Sequence, residues 1–92
     1  MVRNDTNADD AVARALDALT FILNDPLRAG RFLDTTGLTP DNLRACLADP
    51  SVLAAALTFL EAYEPDLIAC AESIGHSPES LVAARHKLEQ TQ

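Results

Sequence analysis

Apolar residues recur at three- and four-residue spacing along the chain, and prolines and glycines cut that rhythm into short pieces. Val12, Leu16, Leu19 and Leu23 predict an amphipathic helix over residues 9–23 with that set turned inward. A second helix is expected over 26–36 on Leu27, Phe32 and Leu33, and a third over 40–48 on Leu43, Cys46 and Leu47, with Leu38 as a staple against Leu43. Leu53, Leu57 and Leu60 define a fourth over 50–62. Leu67, Cys70, Ala71 and Ile74 define a fifth over 65–74, and Leu81, Ala84 and Leu88 a sixth over 78–89. Residues 1–8 and 90–92 lie outside the periodic pattern and read as frayed ends.

The punctuation has a physical basis. Asp25, Thr39, Asp49, Glu64 and Ser77 each precede a proline. Proline suits the first helical position, where its fixed φ fits and no amide hydrogen is needed. Asp, Thr or Ser before it can accept from an exposed first-turn amide, and Glu64 is the weakest such cap. Gly37 and Gly75 stand where helices should stop in a left-handed residue. The result is an all-α expectation: one domain, residues 1–92, a compact bundle of about six short helices.

The chain also echoes itself. "ALTFI" at 18–22 returns as "ALTFL" at 56–60, and "GLTPDNLRA" at 37–45 as "GHSPESLVA" at 75–83, both 38 positions on. Two pseudo-repeated three-helix units are one reading, and shared capping chemistry is the other. At this register Asp25-Pro26 and Glu64-Pro65 are one residue out of step, which reads as a slip of the middle helix. Leu38 is answered by His76, read as a solvated loop residue. Gly30 falls mid-helix, where it costs up to about 1 kcal/mol against Ala, and close approach of a neighbouring helix would justify it.

Composition sharpens the helical reading, because 16 Ala and 14 Leu stand against three Ile and four Val. Charge narrows the partners. A net charge of −7 opposes binding to nucleic acid. No Lys or Arg lies between Arg44 and Arg85, so Glu61, Glu64, Asp66 and Glu72 read either as a solvated surface that aids solubility or as an acidic docking face for a basic protein partner. Arg28, Arg31 and Arg44 form the one basic group, suited to a small anion or carboxylate contact. No apolar run approaches the ~20 residues a membrane span needs, and no secretory leader is read. Cys46 and Cys70 lack metal-ligand spacing and read as buried free thiols, so a cytoplasmic setting is expected.

Chemistry is sparse. Neither His76 nor His86 sits in a local motif with a nucleophile, and carboxylates fall at helix starts and on polar faces. Catalytic, cofactor-binding and metal-ligating residues are therefore assigned as none. Glu79-Ser80-Leu81 mimics the phosphopantetheine serine of carrier proteins but stands one helix too close to the end. The Asp-Pro helix starts are similar to those of client-binding helical modules in co-chaperones.

A broader resemblance rests on Asp25, Pro26, Arg28, Arg31, Phe32, Leu33, Thr36, Gly37 and Leu38, followed by Gly75, Pro78, Glu79 and Arg85. This pattern resembles the bacterial family catalogued as domain of unknown function 3572. The resemblance implies a small helical fold and carries no assigned functional residues. The function expected from the residues is a non-enzymatic protein-interaction adaptor using an apolar groove or the acidic face, with no cofactor and with room for a homodimer. A small-molecule or lipid-binding bundle is the alternative.

Overall fold

The computed structural model describes residues 8–90, and within them every element is helical. The order is α1 (Ala8–Leu23), α2 (Pro26–Thr36), α3 (Pro40–Ala45), α4 (Pro50–Glu61), α5 (Glu64–Ile74) and α6 (Pro78–Gln90). Ala8 and Gln90, expected to fray, belong to helices; the remainder of both expected frayed ends lies outside the described residues.

The starts and stops follow the predicted spelling. Asp25, Thr39 and Asp49 accept from first-turn amides at Leu27, Asn42 and Ser51. Gly37 and Gly75 close α2 and α5 at φ of 76° and 77°, a region that favours glycine. One boundary differs in an instructive way. α5 starts at Glu64, and its N-cap is Tyr63, whose side chain makes no capping bond. α2 and α5 thus begin at 26 and 64 and end at 36 and 74, both 38 apart, so the helix itself has not slipped. Only the proline has moved one place along it.

α1, α4 and α6 pack on one another most extensively and enclose the core. Leu53, Leu57 and Leu60 of α4 and Leu81, Ala84 and Leu88 of α6 are buried as expected. α1 departs from expectation. Its fully buried residues are Ala11, Ala15, Ala18 and Ile22, with Leu19 beside them, while Val12 is half-buried and Leu16 and Leu23 are exposed. Alanines admit close neighbours, and the larger residues flank the seam.

Three further expectations need correction. Leu27, expected inside, is 80% exposed in the first turn of α2. α3 ends at Ala45, which leaves Cys46 half-buried at its C-cap and Leu47 at the surface. A Cβ built on Gly30 would meet nothing within 4 Å, so no neighbouring helix of this chain explains that glycine.

Candidate functional site

The sequence places two arginines one turn apart on α2, and the fold lays that face against the start of α5. Arg28 Nη2 donates to Asp66 Oδ1 at 3.1 Å and Arg31 Nη2 to Asp66 Oδ2 at 3.4 Å. Each carboxylate oxygen therefore has its own guanidinium. Asp66 is 7% exposed, the only charged residue among the described ones that is buried. Burying a carboxylate is costly unless it is paired and hydrogen-bonded, and here it is both. Arg28 is also held by Asp25 at 3.6 Å and stacks 4.5 Å above the Phe21 ring. Arg31 lies 5.9 Å from the centroid of Phe59, which meets Phe32 edge to face at 5.4 Å. Such cation–π contacts contribute about 0.5–1 kcal/mol when exposed and more when desolvated.

Of these groups, Arg31, Phe59 and Asp66 line a trough of about 840 Å³ open to solvent. Its floor is α4, where Ala55 and Thr58 lead on to Ala62 and buried Ala54 lies at the base. α2 forms one wall with Arg31, Asp34, Thr35 and Thr36. Tyr63, Asp66 and, from α6, Glu89 complete the lining. Small floor residues leave the backbone accessible to a close neighbour, while Phe59 and half-exposed Tyr63 supply flat apolar surface. The ionic groups of the rim are Arg31, paired with Asp66, Glu89, paired with Arg85, and the exposed Asp34.

The predicted acidic face divides. Asp66 is withdrawn beneath the two arginines, contrary to a role as an exposed docking charge. Glu61 accepts from Arg85 Nε, and Arg85 also reaches Glu89 at 2.9 Å. Those partners, the Glu61 hydrogen bond first, hold the Arg85 pKa above its ordinary value. Glu64 and Glu72 remain exposed. The predicted basic group divides too: Arg44 is 69% exposed and pairs with Asp41 of its own helix at 3.1 Å, taking no part in the Asp66 cluster.

The remaining candidates are accounted for. Cys46 and Cys70 are free thiols; burial pushes Cys70 up to about 11, with Arg28 acting downward and Asp17 upward, so the thiol keeps its proton at neutral pH. His76 is exposed in the α5–α6 loop, where its amide closes α5 by donating to Ala71. Among the described residues no three His, Cys, Asp or Glu side chains are grouped to hold a metal ion. None of the described helices is long and apolar enough to cross a membrane. The sequence reading expected an apolar groove without placing it, although Ala55, Thr58 and Ala62 at three- and four-residue spacing were a visible signal.

Residues 8–91 match the family model described as protein of unknown function, DUF3572. No curated protein and no solved structure matches the chain.

Proposed function

The chain belongs to the DUF3572 family, and we propose that it is a non-enzymatic adaptor whose α2–α4–α5 trough receives an amphipathic helix of a partner protein. The carrying observation is the shape of that trough. A floor of small residues under about 840 Å³ of open space suits a second helix laid along α4, since small residues let backbones approach. Helix-in-groove docking takes its affinity from a few apolar anchors, here against Phe59 and Tyr63. The rim selects the flanks. Asp34 calls for Lys or Arg beside the apolar stripe, in keeping with a net charge of −7. Chemistry within the trough is disfavoured by the Asp66 carboxylate, whose two oxygens are already engaged by Arg28 and Arg31. The two free thiols support a reducing, cytoplasmic setting. An open side favours a helix over a small molecule or lipid, which is held better in an enclosed pocket.

A display selection against the folded protein, using a library of amphipathic helical peptides, tests this reading. Selected peptides should carry Lys or Arg flanking an apolar stripe, and Ala55→Arg should weaken their binding about tenfold or more. An empty selection, or binders indifferent to Ala55→Arg, would sink it.

A further inference from the structure

On the other flank of α2, Leu27, Gly30 and Leu33 follow one another at three-residue steps, which trace a single slanted ridge on a helix surface. The ridge leads from a knob to a hole. Leu27 projects almost fully into solvent, and Leu33 lines a second cavity of about 340 Å³ with Leu23, Pro40, Leu43, Arg44 and Leu47. Between them Gly30 has open space where a side chain would stand. A helix-weakening glycine with no neighbour inside its own chain leaves room for a backbone from outside it.

From these features we infer that the α2–α3 face pairs with a second copy of this chain about a two-fold axis, the two α2 helices crossing at Gly30 and each Leu27 entering its partner's cavity. A two-fold interface must be self-complementary, and this face carries both halves of each contact. The apolar knob is on α2, and α2 contributes Leu33 to the apolar hole that α1 and α3 complete. The ionic rim matches in the same way: Asp41 is 93% and Arg44 69% exposed along their side chains, so each copy offers one acid and one base for exchange across the axis. For a chain of net charge −7, the cavity is also a suitable place for two copies to meet, because its lining holds an arginine and no carboxylate. The pairing stands apart from the peptide trough, whose floor is α4.

Sedimentation equilibrium of the intact chain between about 1 and 100 μM tests it. The unmodified protein should show a monomer–dimer equilibrium in that range. Leu27→Asp, at a site already in solvent, should weaken dimerisation about tenfold or more with helicity unchanged. Gly30→Leu should do the same while raising the thermal midpoint of the monomer, since the new side chain meets nothing within its own fold. A monomer throughout, or a dimer indifferent to both substitutions, overturns the proposal.

Discussion

The pentapeptides Ala18–Ile22 and Ala56–Leu60 differ only in their last residue, and the fold treats them alike. In each, the alanine and the aliphatic residues are buried, the threonine is exposed and the phenylalanine half-buried. Their surroundings differ. α4 is buried on several sides, with Val52, Leu53, Ala54, Ala56, Leu57 and Leu60 all inside, whereas α1 buries a stripe of alanines ended by Ile22. The helices that follow differ in charge: α2 carries Arg28 and Arg31, and α5 carries Glu64, Asp66 and Glu72. They meet where Arg28 binds Asp66, two positions 38 apart, beside Phe21 and Phe59, also 38 apart. Similar local sequence thus yields two helices with different work. One seals the core, and the other seals it while offering its outer face as the floor of a trough.

The largest expected effect comes from removing bulk from the leucine-filled helix. Leu57→Ala should cost about 3 kcal/mol in urea unfolding, the sum of lost transfer energy and the cavity left behind. On α1 the sensitive change runs the other way. Ala15→Leu should cost about 2 kcal/mol by overpacking the seam, while Leu16→Ala, one residue along and exposed, should cost far less. If both helices responded alike to the same kind of substitution, the contrast between their faces would fail.

The smallest effect concerns the middle helices. α2 has a side-chain cap at Asp25, and α5 has Tyr63 in the corresponding place without one. Tyr63→Ser puts a hydroxyl within reach of the Asp66 amide, as Thr39 already reaches Asn42. A gain of about 0.5 kcal/mol is expected, read as a rise of roughly 3 °C in Tm. A fall would mean that the tyrosine ring contributes more than the missing cap.

Elements were legible in the sequence wherever a single residue dictates backbone geometry. Gly37, Gly75 and the prolines marked helix ends because their constraints are local and independent of fold. The buried face of α1 was not legible, because a leucine set and an alanine set one residue apart are both helical stripes. Which one turns inward depends on how closely α4 and α6 approach. The candidate site was half legible. Arg28 and Arg31 stood out as a pair, but their partner Asp66 looked like one acid among several, since only the fold brings α5 beneath α2. Leu27 followed an inward period and turned out exposed, and Gly30 lost its expected intrachain neighbour; both find a use only if a second molecule covers them.

Thr20 and Thr58 offer the most direct test of the trough, because they occupy the same place in the two pentapeptides and both are exposed. A photo-reactive residue introduced at each in turn, in living cells, should cross-link a helical segment of a partner from position 58, on the trough floor, and not from position 20. Equal cross-linking from both positions, or from position 20 alone, would contradict the assignment of partner binding to the outer face of α4.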